Sequence, residues 1–370
     1  MPEFNSLHWF DLQFLPFLAL SFVLNLFVVY LWRHKLYRYF GLTQYKAIQR
    51  IHLHETPRLG GMIILITLIF YTLTAKPSES NEILKLLLIS LSPAVFFAFK
   101  EDLFHNVKPS IRFFSLLLSG FVFIGFYAGP WPKISLPLIG VLLSTNLGIW
   151  LFYPIAIVAV TNGMNLIDGV NGLCAMVSLC ILGTLIFLSH HLLDTPFLIV
   201  TASLALSIIS FLIFNYPKGL IFLGDLGAYS LGLMLSMLVI MICGRHPELS
   251  SWGAVLIIIY PLTEVTFTLF RRLFTGVSAH HPDLKHLHLK IYLFFKPQPY
   301  FKKVANAIVM PVLALLWLFP FIAITWFYQK PYFIILSILG FFSFYAFIYY
   351  KIPNVSNLKK VAQIVRQKKK

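Results

Sequence analysis

The chain has 370 residues, 59% hydrophobic and only 11% charged, where a soluble globular domain is about half apolar and a quarter charged. That composition excludes a soluble enzyme, a disordered protein and a nucleic-acid-binding domain. The net charge of +16 comes from scarce acids, 13 against 29 Lys and Arg, and in a membrane protein such an excess records orientation.

A cleaved signal peptide opens with positive charge, but residues 1–11 carry Glu3 and Asp11 and no Lys or Arg. The first apolar run, 12–32, therefore reads as a retained helix with its N-terminus outside. A helix crosses ~30 Å of hydrocarbon in about 20 residues. The runs 12–32, 60–75, 82–99, 111–128, 147–161, 169–189, 196–214, 220–243, 253–271, 304–327 and 331–350 are candidates. The run 147–161 is short, and the proline-interrupted 134–146 beside it reads as interfacial. The expected fold is all-α: a polytopic integral membrane protein of about eleven transmembrane helices. It forms one domain over 1–350, followed by a basic cytoplasmic tail at 351–370. With the N-terminus outside, nearly all Lys and Arg fall inside. Only Lys76, Lys85, Lys133, Arg245 and Lys330 lie outside, which satisfies the positive-inside rule and puts the C-terminus in the cytoplasm. Cys174, Cys180 and Cys243 lie in apolar runs without metal-ligand spacing and read as small apolar residues.

The acids Glu55, Glu101, Asp102, Asp168, Asp225, Glu264 and Asp283 fall at or just within the cytoplasmic helix ends. A carboxylate at the centre of a membrane helix costs roughly 2.5–3.5 kcal/mol, so several converging on one face point to a site. Carboxylates beside many Lys and Arg suit a metal and an anionic substrate.

Five segments carry the chemistry. Glu101 and Asp102 close the third run, as metal ligand or base, or as an ordinary charged helix end. In Thr161-Asn162-Gly163-Met164-Asn165-Leu166-Ile167-Asp168-Gly169-Val170-Asn171-Gly172, the residues Asn162, Asn165 and Asp168 are spaced by three and share a face on a helical path. The bland alternative is a polar turn with an Asp cap. Phe222-Leu223-Gly224-Asp225-Leu226-Gly227 leaves an acid between glycines at the start of the eighth run, open to a cation or serving as a simple N-cap. Phe222 is a base-stacking platform or membrane-facing bulk. Glu264 lies within an apolar run about 10 Å from Arg271 and Arg272 at the helical rise, and so faces protein or a water-filled cavity. A structural partner and a direct role are both open for it. In the longest cytoplasmic loop, which carries Asp283, the histidines His286 and His288 and the lysines can grip phosphate oxygens or bind a transition metal, although a Zn site would want more ligands at fixed spacing. His190 and His191 lie on the other side and read as interfacial.

In this order the segments, with Thr56-Pro57-Arg58-Leu59-Gly60-Gly61 ahead of them, resemble the polyprenyl-phosphate N-acetylhexosamine-1-phosphate transferase family (glycosyltransferase 4 family). The likeness runs roughly from Thr56 to Lys290. The number of spans and the single His-Leu-His resemble the bacterial undecaprenyl-phosphate GlcNAc-1-phosphate transferase branch more than the MurNAc-pentapeptide branch. The resemblance implies a multi-pass enzyme of the inner membrane with its site on the cytoplasmic face. It implies UDP-N-acetylhexosamine and undecaprenyl phosphate as substrates in the lipid bilayer, Mg²⁺ (or Mn²⁺) as cofactor, UMP as product, and a lipid-linked sugar that starts a cell-surface glycan. Asp225 would be the Mg²⁺ ligand. Glu101 and Asp102 would stand at the family's paired aspartates, where the lipid phosphate is positioned or deprotonated. Asp168 would join them in the catalytic group. Asn162, Asn165, Asn171, Phe222, Glu264, Arg272, Asp283, His286 and His288 would bind substrate. No nucleic acid is implied, and a homodimer is left open. The chain departs from the pattern at Glu101 (usually Asp), Asn171 (Asp), Glu264 (often Asp), Leu284 (often Arg) and Leu289 (the last position of the His cluster). Alternatives are another UDP-sugar, such as N-acetylfucosamine or N-acetylquinovosamine, or a degenerate relative serving as scaffold. A transporter fits less well, because the polar motifs cluster on one side and no internal repeat is visible.

Overall fold

The computed structural model describes residues 15–36, 56–133, 137–275 and 285–353. The expected tail beyond Pro353 lies outside the described residues. In chain order the helices are α1 (Leu15–Arg33), α2 (Gly60–Thr74), α3 (Glu79–Phe104), α4 (Pro109–Phe126), α5 (Pro137–Leu143), α6 (Asn146–Ile167), α7 (Leu173–His191), α8 (Thr195–Asn215), α9 (Gly224–Arg245), α10 (Ser251–Ile257), α11 (Ile259–Thr275), α12 (Leu287–Phe295), α13 (Val309–Val312), α14 (Ala314–Phe327) and α15 (Pro331–Lys351). Among the described residues there are no strands. An apolar run forces this, because in hydrocarbon a helix pairs its backbone groups within its own segment. Eight helices (α1, α3, α4, α6, α7, α8, α9 and α15) are long and apolar enough to cross a bilayer, α2 and α14 are shorter apolar helices, and α10 with α11 form a pair bent by 76°. Each apolar run of the sequence thus holds a helix or a helix pair, and the protein is a polytopic membrane protein.

Several runs differ in detail, among them 304–327, which is helical only from Val309 and is interrupted at Leu313. The run 253–271 breaks at Ile258 instead of running straight. Pro261 accounts for the break: it has no N–H to give the carbonyl four residues back, and its ring collides with that carbonyl. The group concerned belongs to Ile257, the last residue of α10. The short run 147–161 extends to Ile167, which keeps Asn162 and Asn165 on helix α6. The run 82–99 extends to Phe104, so Glu101 and Asp102 sit in the last turn of α3.

Helix α9 is the centre of the bundle. Of its apolar window 94% is buried, and Leu233, Leu235, Met237 and Leu238 are all fully enclosed. A helix that is apolar on every side needs protein all round it, here α6, α3, α2 and α7. That enclosure fixes the first turn of α9 at one end of the bundle, beside the start of α2, the end of α3, the start of α4 and the end of α6.

The opposite end is tied by Asp194. It caps α8 by accepting the Phe197 N–H at 3.2 Å, takes Arg245 Nε and Nη2 at 2.7 and 3.0 Å, and meets His246 Nε2 at 3.0 Å. Arg245 also reaches Glu79 at 2.7 Å, and His246 lies 3.4 Å from Glu248. Burial works to raise the Asp194 carboxyl, but the hydrogen bonds from Arg245 and His246 and the Arg245 charge outweigh it and hold it below its ordinary value. A depressed folded-state pKa stabilises above the unfolded value, about 3.9 for Asp, and that stability is lost as the pH falls through the folded value. Asp194→Asn is therefore expected to cost about 1.5–3 kcal/mol at pH 7. In detergent thermal melts, the gap to wild type should close as the pH falls below about 4.

Candidate functional site

The site begins with a backbone dock. The N–H groups of Gly60 and Gly61 donate to the carbonyls of Phe222 and Leu223, each at 2.9 Å, and the Phe222 N–H donates to Pro57 O at 2.8 Å. The start of α2 thus lies directly on the segment that opens α9. A Cβ on Gly61 would stand 2.2 Å from the Gly227 Cα, so only glycine permits the approach. The dock carries Arg58 to Asp225, with Nη2 3.5 Å from Oδ1.

The N-terminus of α9 is capped from another helix. Asp102 accepts the Asp225 N–H at 2.9 Å and the Leu226 N–H at 2.8 Å through its two oxygens, while Leu223 at the N-cap position supplies no side-chain bond. Gly224 has φ +78, and a Cβ there would lie 2.6 Å from Asp102 Oδ2. The side chain of Asp102 is 2% exposed. With its backbone fixed in this way, Asp225 projects from the first turn of α9. Arg112 Nη1 donates to its Oδ2 at 2.8 Å, and Asn165 Nδ2 approaches its Oδ1 at 3.4 Å. Glu101 turns the other way: its Oε2 accepts the Val107 N–H at 2.9 Å, and its Oε1 lies 3.7 Å from Arg112.

Arg58 sits in the field of four carboxylates. Burial pulls its pKa down, but Asp225, Asp102, Asp168 and Glu101 outweigh that and raise it. Asp168, at the end of α6, is pushed well above the ordinary carboxylate value by burial; Arg58 opposes the shift, and Asp225 and Asp102 add to it.

The remaining candidates form the surroundings. Asn162 Nδ2 donates back to Val158 O of its own helix at 2.9 Å. Asn171 is buried and braces the loop after Asp168: its Nδ2 donates to Pro217 O at 2.9 Å, and its N–H donates to Asn306 Oδ1 at 2.7 Å. Asn215 joins this brace by accepting the Gly172 N–H at 2.6 Å. Phe222 takes part through its backbone and borders Gly219. His286 and His288 lie beside Glu264, and His288 abuts Gly169: a Cβ there would be 2.7 Å from its Nε2. Arg272 lies in the last turn of α11, beyond Glu264. Asp283 lies outside the described residues. The sequence reading did not single out Arg58, Arg112, Asn215 or Asn306 as site residues. For Arg58, the signal was its place inside the Pro/Gly-Gly segment.

The donor set can be tested against a divalent cation. Four carboxyl groups surround two guanidinium groups, Arg58 and Arg112, and burial of Asp168 opposes its ionisation. Among the described residues, no three His, Cys, Asp or Glu side chains form a metal cage. Hard oxygens in small number fit Mg²⁺, which takes one or two carboxylates and completes its shell with phosphates and water. They do not fit a Zn²⁺ site.

Residues 84–243 match the family model of glycosyl transferase family 4. That stretch holds Glu101, Asp102, Arg112, Asn165, Asp168 and Asp225. The chain is similar to the probable undecaprenyl-phosphate N-acetylglucosaminyl 1-phosphate transferase of Bacillus subtilis, at 33% identity over 39% of this chain and 42% of that protein. It is similar to the undecaprenyl-phosphate alpha-N-acetylglucosaminyl 1-phosphate transferase of Thermotoga maritima, at 32% identity over 37% of this chain and 41% of that protein. A phospho-N-acetylmuramoyl-pentapeptide-transferase of Lacticaseibacillus paracasei is 26% identical over 61% of this chain and 74% of its own length. The matches thus span under half the length of the first two relatives.

Proposed function

We propose that this chain, whose residues 84–243 match glycosyl transferase family 4, transfers an N-acetylhexosamine-1-phosphate from a UDP-sugar to undecaprenyl phosphate. The observation that carries this reading is the cluster around Asp225. Two guanidinium groups and four carboxylates gather at one end of the bundle, largely on the stretch shared with the family. The names of the similar proteins make UDP-GlcNAc the first donor to test. The reading places the site on the cytoplasmic face of the inner membrane and has the product start a cell-surface glycan.

In the proposed reaction an oxygen of the lipid phosphate attacks the β-phosphorus of the UDP-sugar. The bond from that phosphorus to the bridging oxygen breaks, and UMP leaves with the bridging oxygen. Both reactants are anions and repel one another. Arg58 and Arg112, already oriented by Asp225, have further N–H groups to offer phosphate oxygens. Asp102 keeps the first turn of α9 in place, so Asp225 does not reorganise during reaction. Asp168, with its raised pKa, can hold a proton on a carboxyl oxygen and donate it to the nucleotide. Mg²⁺, or Mn²⁺ in its place, held by Asp225 would supply neutralisation of the pyrophosphate charge.

The test is UMP release by the full chain in detergent, with undecaprenyl phosphate, Mg²⁺ and a panel of UDP-N-acetylhexosamines. One preferred donor, with activity lost in EDTA, is expected. Because the described residues offer no cage, Mg²⁺ binding followed by calorimetry should be weak alone and strengthen with nucleotide. Folded protein that releases UMP from no donor would overturn the transferase reading and favour the scaffold.

A further inference from the structure

Glu264 is the least solvated carboxylate near the site. Its side chain is 1% exposed, and no hydrogen bond of full geometry reaches either oxygen, although the Tyr345 hydroxyl lies close enough to interact with the carboxylate. A buried carboxylate without full hydrogen bonding is costly, so its surroundings must compensate. Two imidazoles turn the same nitrogen toward it. Nδ1 of His286 lies 3.5 Å from Oε2, and Nδ1 of His288, a buried atom without a hydrogen bond in this structure, lies 4.0 Å from Oε1. The two rings are parallel, with centroids 5.7 Å apart and an interplanar angle of 10°. Thr268 Oγ1 adds a second polar atom, 3.4 Å from His286 Nδ1, and Tyr260 and Tyr345 border the carboxylate.

The far edge of His288 points the other way. Its Nε2 stands where a side chain on Gly169 would be, 2.7 Å from the position of such a Cβ. Gly169 directly follows Asp168. The ring therefore spans from the buried acid of α11 to the turn that carries Asp168. Which imidazole nitrogen holds the proton is set by what the other nitrogen meets. A relative shift of about 1 Å would bring the longer separation to hydrogen-bond length.

We propose that Glu264 is a positioning residue: it holds the Nδ1 side of the His286–His288 pair and so leaves His288 Nε2, free of a proton, facing the Asp168 turn. The consequence for catalysis rests on the transferase reading, while the tautomer itself does not. Burial supports a neutral ring by driving the His288 imidazole down to about 4, against the pull of Glu264.

The test uses the full chain in detergent, labelled with ¹⁵N-histidine and assigned with His286→Gln and His288→Gln variants. Wild type is expected to show His288 protonated at Nδ1, and Glu264→Gln should change that tautomer population. In the UMP-release assay Glu264→Gln should lose about 10- to 100-fold in kcat, as for other groups that orient an imidazole, with KM within about twofold, and Glu264→Asp should recover part of the loss. A wild-type His288 protonated at Nε2 would overturn the proposal even if the variants failed to fold. So would a Glu264→Gln spectrum identical to wild type. If wild type releases no UMP, the transferase reading fails, and the spectra still decide the role of Glu264.

Discussion

Asp225→Asn is expected to cut UMP release by about 1,000-fold or more while leaving the protein folded. The substitution keeps the shape and removes the charge. Asn can accept at only one atom, and its amide group would face a guanidinium. Arg112, which donates to Asp225 at 2.8 Å, and Arg58, 3.5 Å away, would both lose the Asp225 charge. A 1,000-fold loss corresponds to about 4 kcal/mol of transition-state stabilisation, in the range of one preorganised electrostatic contact. The fold should survive, because the cap on α9 comes from Asp102 to backbone N–H groups and does not involve the Asp225 side chain. Asp102→Asn gives the contrast. An amide can accept only one of the two N–H groups and sets its own NH₂ against the other, so this variant should lose both activity and about 0.5–2 kcal/mol of stability. Kinetics and thermal melts of the two variants together separate the roles. Asp225→Asn within tenfold of wild type would remove Asp225 from the centre of the site.

The helices were legible because each run is long and apolar, and that alone forces a helix in a bilayer. The break at Ile258 was not, since a proline within an apolar run is often accommodated in membrane helices. Whether Pro261 bends the chain depends on what neighbours can satisfy the carbonyl it strands. Asp225, Asp102 and Asn165 were visible as polar residues that an apolar context does not explain. Arg58 and Arg112 were hidden by the opposite circumstance. A basic residue at a helix end expected to be cytoplasmic is already explained by the expected topology, so neither stands out from Lys100 or Lys108. Two departures from the family pattern acquire local reasons only in three dimensions. Asn171 donates from its amide to Pro217 O, which a carboxylate cannot do. Glu101 reaches round the end of α3 to the Val107 N–H, past His105 in the left-handed region.

Gly61→Ala is expected to have the largest effect on the folded state. The added methyl would stand 2.2 Å from both the Cα and N of Gly227 and 3.0 Å from Leu223 O. These are backbone atoms, so no rotamer change relieves the clash. Helix α2 would have to lift off the start of α9, lengthening the hydrogen bonds from Gly60 and Gly61 to Phe222 and Leu223. Overpacking and two weakened buried hydrogen bonds together cost about 3–5 kcal/mol. Gly125→Ala is the matched control: its Cβ would meet only the Trp150 side chain at 3.7 Å, an ordinary contact, so a helical glycine there should tolerate alanine or gain slightly. Activity should fall further than stability predicts in any folded Gly61→Ala protein. Arg58 rides on the same segment, and a displacement of about 1 Å at a positioned group can cost roughly 100-fold in rate. Thermal midpoints in detergent, read beside UMP release, would show the two effects separately. A Gly61→Ala protein as stable and active as Gly125→Ala would mean that α2 does not rest on residues 222–227. The placement of Arg58 beside Asp225 would then lose its structural basis.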